Sequence, residues 1–229
     1  MRSTAAIPTA LVLLAIAACS SGSSPGHAKP KTSPTTPAAA SAGLSISPAN
    51  GAKNAAPDQG IAVTASHGKI GHVTVTAAGG QVTGSVTNGG TQWHSQWALG
   101  VSQHYTVTAT ATNPAGKIVT ATSSFTTLTP RQTFTTEIFE GSNQTYGVGM
   151  PIKLTFSRAI TDKAAVERAL QVTTSKPVVG AWDWQGDQTL DFRPQSYWPT
   201  GTKISFTGHL DGVQGAPGVY GYHTLTQSY

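Results

Sequence analysis

The stretch 180–202, GAWDWQGDQTLDFRPQSYWPTGT, gathers Trp182, Trp184, Trp198, Tyr197 and the aspartates 183, 187 and 191 within 23 positions. Carboxylates and aromatic rings at this density are the raw material of a saccharide cleft with an acid–base pair. Gly186-Asp187-Gln188 suits a three-residue hairpin loop. That register sets Gln185 opposite Thr189, Trp184 opposite Leu190, Asp183 opposite Asp191 and Trp182 opposite Phe192. A two-residue loop would face Trp184 with Thr189 and lose the apolar pairing, so the three-residue form is expected. Asp183 and Asp191 would then stand about 5 Å apart, the spacing of a retaining glycosidase. Such a pair on a flat strand face has no lid or apolar wall to keep one carboxyl protonated as a general acid must be. Arg193, diagonal to Asp183, would neutralise it instead. The expectation is a charged outer face, with Trp182 and Trp184 turned inward where burying their rings stabilises a small domain most.

Other residue types capable of chemistry are thinly spread. His67/His72 and His94/His104 have no carboxylate or thiol partner in sequence, so they read as ordinary strand or surface histidines, and no metal or cofactor is expected. Glu137 and Glu140 read as solvated. No serine sits in a nucleophile-elbow pattern, and no glycine-rich phosphate loop follows a strand. Trp93, Trp97 and Trp198 are the aromatic residues left as candidate ligand contacts.

The chain must first leave the cytoplasm. Arg2 precedes the apolar run AAIPTALVLLAIAA, which is too short to span a bilayer. It runs into Ile16-Ala17-Ala18-Cys19, which looks like a lipobox, so residues 1–18 read as a lipoprotein signal and Cys19 as the lipidated first residue. The alternative is an ordinary signal with Cys19 left as a stray thiol. Cys19 is the sole cysteine, which excludes disulfides and thiolate metal clusters. Residues 20–43 are rich in Ser, Pro, Ala and Gly and read as a disordered tether. The expected location is the outer face of the cell membrane.

The formal charge of +5 is spread thinly. Lys29 and Lys31 fall in the tether, and residues 130–229 carry eight basic and eight acidic side chains. No basic stripe interleaved with aromatics exists, so a nucleic-acid partner is not expected.

Only 10% of residues are charged, and Thr and Val suit pleated surfaces. Between residues 44 and 129 the runs IAVTAS, HVTVTAA, QVTGSVT, TQWHSQWAL, HYTVTATAT and IVTATSSFTT alternate with period two. That places Val73, Val75, Val82, Val86, Tyr105 and Val107 on inner faces. Asn88-Gly89-Gly90 and Asn113-Pro114-Ala115-Gly116 are apt turns. Residues 130–229 keep this rhythm, with Ile152, Leu154 and Phe156 inward. One short helix, TDKAAVERAL, interrupts it, with Asp162 near its start and Arg168 near its end, as the helix dipole favours. The reading is all-β: two tandem immunoglobulin-like sandwiches, 44–129 and 130–229, with a barrel as the alternative for the first. The link at Thr129-Pro130-Arg131 is short enough that the two domains should touch at a fixed angle.

The segment 147–202 resembles the immunoglobulin-like domain that precedes the catalytic domain of actinobacterial L,D-transpeptidases. The resemblance is carried by Gly149-Met150-Pro151, Val166-Glu167-Arg168-Ala169-Leu170, Gly180-Ala181-Trp182 with Trp184, Phe192-Arg193-Pro194, and Tyr197-Trp198-Pro199 with Gly201-Thr202. Residues 44–129 fit the family's more variable first domain, and the lipobox and tether match its membrane-anchored members. The resemblance implies modules that extend a peptidoglycan cross-linking domain from the membrane toward the wall. The family's nucleophile is a cysteine in a Ser/Thr-His-Gly-Cys motif, and no such motif occurs before Tyr229; His209 and His223 have no cysteine partner. The sequence given is therefore not expected to be an enzyme in itself, since acyl transfer needs an activated nucleophile beside a base. Three functional expectations follow: a lipid-anchored spacer or peptidoglycan-binding pair of modules, a cell-wall carbohydrate-binding or adhesive module, and part of a complete transpeptidase.

Overall fold

The computed structural model describes residues 40–229; the signal segment, Cys19 and the tether up to residue 39 lie outside the described residues. The first sandwich contains β1 (Gly43–Ser47), β2 (Ala62–Ser66), β3 (Lys69–Ala77), β4 (Gly80–Gln81), β5 (Gly84–Thr87), β6 (Gln92–Ser95), β7 (His104–Thr112) and β8 (Ile118–Thr126). They form two four-stranded sheets, ordered β1-β2-β6-β5 and β4-β3-β7-β8. Alternation along β7 buries Tyr105, Val107, Ala109 and Ala111, which close with Val63, Trp93 and Phe125 into one apolar core. Tyr105 stacks on Phe125 with ring centroids 5.5 Å apart. Residues just ahead of Leu44 already belong to this sandwich. Ala42 is buried in this core, and Asn113 Nδ2 donates to the Ala40 carbonyl at 3.1 Å.

Turn chemistry sets the registers. Asn113 Oδ1 accepts from the backbone N–H groups of Ala115 (3.1 Å) and Lys117 (2.8 Å), which closes the β7–β8 hairpin with Gly116 in the left-handed region. Val86 departs from its expected inner position and is exposed. The reason is the edge: β5 bonds only to β6, and all four of its residues face solvent.

The second sandwich contains β9 (Gln132–Phe134), β10 (Thr136–Ile138), β11 (Ile152–Phe156), α1 (Lys163–Arg168), β12 (Leu170–Thr174), β13 (Gly180–Gln185), β14 (Thr189–Pro194), β15 (Ile204–Gly208), β16 (Gln214–Ala216), β17 (Val219–Gly221) and β18 (Leu225–Ser228). One sheet runs β10-β11-β14-β13 and another β12-β15-β18, while β16-β17-β9 closes one flank with β17 parallel to β9. Ile152, Leu154 and Phe156 are fully buried with Leu190, Phe206 and Val166. The helix is capped as its sequence requires: Asp162 Oδ1 accepts from the Ala165 N–H at 3.0 Å, and Arg168 sits in the last turn.

Hairpin β13–β14 has the three-residue loop, with Asp183 opposite Asp191 and Trp182 opposite Phe192. Trp182 meets Phe192 and Phe206 edge-on, at 5.1 and 6.0 Å. Trp184 stacks on Phe156 at 5.4 Å and donates its Nε1–H to Glu167 Oε1 at 2.6 Å. Both indoles stay half-buried because β13 is an edge strand.

The two sandwiches meet where the loop 97–101 seats on residues 209–213. Trp97 stacks on His209 at 3.9 Å with rings 10° from parallel. The Val101 N–H donates to Asp211 Oδ1 at 3.3 Å. Ala98 packs against the second core. Gly212 has φ +77°, and a β-carbon there would run into the Leu99 carbonyl oxygen and press on Pro57. Backbone thus lies on backbone, which leaves little room for sliding. Behind this contact the connecting segment is tied down by Ser102, whose N–H donates to the Leu128 carbonyl at 2.9 Å.

Two consequences can be measured. Trp182→Ala should cost about 3 kcal/mol of folding free energy in chemical denaturation, the low end for aromatic truncation because the ring is half exposed. Gly212→Ala should keep the β-sheet circular dichroism yet widen the small-angle scattering profile, since it adds left-handed strain and a clash at the joint. An unchanged profile would contradict a joint locked by backbone contact.

Candidate functional site

The hairpin does not form a carboxylate pair open to a ligand. Asp183 is exposed on the edge strand and accepts from Gln185 Nε2 at 2.5 Å. Asp191, expected on an open charged face, is only 2% exposed. It lies on the central strand β14, paired with Arg193 Nη2 at 3.1 Å and Lys153 Nζ at 3.9 Å. Those long side chains cover it, and their charges compensate a carboxylate that burial would otherwise penalise. Arg193 reaches Asp191 along its own strand rather than Asp183 across the diagonal. Glu140 also departs from its solvated expectation: it is buried, accepts from the Lys153 N–H at 3.4 Å, and its carbonyl takes Gln227 Nε2 at 2.6 Å.

Of the three tryptophans offered as ligand contacts, two belong to cores. Trp93 is 6% exposed between the first sandwich's sheets, with Gly84 directly against its ring. Trp198 is 5% exposed; its Nε1–H is taken by the Met150 carbonyl at 2.6 Å and its ring packs on Phe192 at 5.9 Å. Both are buried too deeply to offer a whole face for stacking. Their apolar area is worth more inside than out, and a buried indole N–H finds a carbonyl. Trp97 differs, because it lies at the joint with His209 on one face and is only partly buried. His67, His72, His94 and His104 are all exposed. Among the described residues no group of three His, Cys, Asp or Glu converges as metal ligands would.

Clefts open on both sides of Trp97. One, of about 190 Å³, runs past Leu99, Gln103 and Tyr105 to His209 and Asp211. Burial pushes the Asp211 carboxyl above its usual range, with the Val101 N–H and His223 pulling the other way. Burial lowers His209, so the ring on the indole resists protonation. The other cleft, of about 370 Å³, carries Asp58, Gln59 and Gln96 from the first sandwich and Asp162, Arg168 and Gln214 from the second. Asp162, Ala165 and Arg168 share one face of α1 because they recur every three residues. Asp58 and Gln59 come from the 3-10 turn Pro57–Gln59, which also abuts Gly212 through Pro57.

A larger cleft of about 780 Å³ sits at the far end of the second sandwich, between Tyr146, Val148, Trp198 and Tyr229. Tyr146 and Tyr229 meet edge-on at 5.8 Å there. Burial, with Glu140 nearby, pushes the Tyr229 phenol upward, so it stays protonated at any physiological pH. That cleft is apolar with a hydroxyl and amide rim. The smaller cleft at Trp97 carries His209 and Asp211, and the larger one there carries Asp58, Asp162 and Arg168. Each of these clefts offers hydrogen-bonding groups beside apolar surface, as a ligand site requires.

Sequence reasoning singled out Trp97 but not its polar neighbours. Gln96 carried a weak signal by adjacency; Asp58, Gln59 and Gln214 carried none. Asp162 and Arg168 were accounted for as helix-end residues, which they are, and their second environment depends on what faces the helix.

Comparison with known proteins bears on the whole described chain. Residues 52–214 match the family model described as "Bacterial Ig domain", a span that takes in most of both sandwiches. L,D-transpeptidase 2 of Mycobacterium tuberculosis is 31% identical over 221 residues, covering 95% of this chain and 54% of that protein. L,D-transpeptidase 5 of the same species is 34% identical over 188 residues, covering 80% of this chain and 42% of that protein. A solved L,D-transpeptidase in complex with imipenem is 26% identical over 43% of this chain and 39% of that one, with a TM-score of 0.33. The chain thus spans about half the length of the curated relatives it matches. With most of its sequence inside one family model, the chain belongs to the bacterial Ig domain family.

Proposed function

We propose that this chain is the immunoglobulin-like arm of a peptidoglycan cross-linking protein of the L,D-transpeptidase kind, anchored in the membrane through Cys19. The observation that carries the reading is the similarity to L,D-transpeptidase 2 across 95% of this chain. In this reading the two sandwiches act as a spacer. The joint suits that role, because a stacked ring pair, a backbone-to-carboxylate hydrogen bond and a glycine seated on a carbonyl hold one relative angle. A flexible spacer would spend conformational entropy each time it presented its far end.

A second reading, a cell-wall carbohydrate-binding module, is favoured by one observation: Trp97 stands in a polar cleft between the sandwiches. The spacer and binding roles are compatible on one chain.

Two experiments test these assignments. Cys19→Ala should move the protein from the membrane fraction to the soluble envelope fraction and abolish incorporation of labelled palmitate. A variant that stays with the membrane would contradict the lipid anchor. Deleting the gene should lower the share of cross-linked muropeptides in digested cell wall, and an unaltered muropeptide profile would argue against the cross-linking role.

A further inference from the structure

We infer that the cleft between α1 and the Trp97 loop is a binding site for a neutral oligosaccharide, completed only when the two sandwiches are joined. Its walls come from both: Gln96, Trp97 and Asp58 from the first, Asp162, Arg168 and Gln214 from the second.

The chemistry of the wall selects the ligand class. Asp58 and Asp162 against Arg168 leave the cleft with one net negative charge, which disfavours an anion. An apolar ligand would desolvate three charged groups and three amides and leave their remaining hydrogen-bonding atoms unanswered. A neutral ligand rich in hydroxyls fits both constraints, because each hydroxyl donates and accepts and can answer a planar amide, carboxylate or guanidinium. The indole adds an apolar face and an N–H donor, the combination that makes tryptophan useful at wet interfaces. About 370 Å³ falls within the range of small-ligand sites and suits a short oligosaccharide.

Much of the polar capacity is unspent yet held in place. Arg168 makes no ion pair among the described residues, where the pairs are Lys153–Asp191, Lys163–Asp187 and Arg193–Asp191. Asp162 uses Oδ1 for its cap and keeps Oδ2. Gln214 donates through Nε2 to the Tyr220 hydroxyl at 3.2 Å and keeps its carbonyl oxygen. Gln96 accepts from the Thr83 hydroxyl at 3.4 Å and keeps its amide hydrogens. The Trp97 backbone is pinned by Ser95 Oγ at 3.2 Å, and its ring by His209. Groups anchored at one atom and open at another lose little freedom when a ligand arrives.

The test is titration of the whole chain with cellotetraose and with chitotetraose, followed by amide NMR and tryptophan fluorescence. At least one sugar should give saturable shifts at residues 96–98, 168 and 214. Arg168→Ala and Gln96→Ala remove exposed side chains outside both cores, and each should weaken binding by roughly tenfold with the thermal midpoint unchanged. Trp97→Ala should abolish the fluorescence response, but it also removes the stack on His209, so the first two variants decide. Absence of saturable shifts with both sugars overturns the inference, as does binding that Arg168→Ala and Gln96→Ala leave intact. The inference rests on the carbohydrate-binding reading alone: an unaltered muropeptide profile after gene deletion leaves glycan binding by the purified chain standing, so this site and the cross-linking role fail separately.

Discussion

The Leu99 carbonyl oxygen occupies the place where residue 212 would carry a β-carbon, and this contact governs how the rest of the molecule is arranged. Around that point Trp97 covers His209 and the Val101 N–H reaches the Asp211 carboxylate. Side-chain contacts alone would let two sandwiches rock about a three-residue connection. Backbone set against backbone removes that freedom, because peptide planes cannot change rotamer to make room. The clefts flanking Trp97 inherit their shape from this seating.

Polar groups near the hairpin follow a related logic of compensation. Asp191 is buried on a central strand and lies between Lys153 and Arg193. Glu140 is buried with a backbone N–H at its carboxylate. Trp184 and Trp198 each place an indole N–H on an oxygen at 2.6 Å. Each of these groups is engaged by a neighbouring charge, N–H group or oxygen, with only Asp191 Oδ1 lacking a hydrogen bond of its own. At the joint, by contrast, Arg168, Gln96 and Gln214 keep unspent hydrogen-bonding atoms within reach of a cleft.

The strands, the hairpin register and the capped helix could all be read from alternation and turn chemistry. Asp183 opposite Asp191, Asp162 at the helix start, and inward Ile152, Leu154 and Phe156 all stand where the pattern put them. The errors share one cause. Val86 alternates properly yet faces water, because strand position within a sheet is invisible to period two. Asp191 and Glu140 have acidic side chains but buried sites, because what covers a residue comes from distant segments.

Period-two patterning and glycine or asparagine at turns act over a few residues, so the sequence alone determined the all-β class, the hairpins and the resemblance carried by its tryptophans. The cleft at Trp97 brings together residues 58, 96, 162, 168 and 214, whose proximity depends on the seating of Gly212 against Leu99. That contact joins positions more than a hundred residues apart, and no local periodicity encodes it. Only the tertiary structure decided which tryptophan remains open to a ligand and which polar groups surround it.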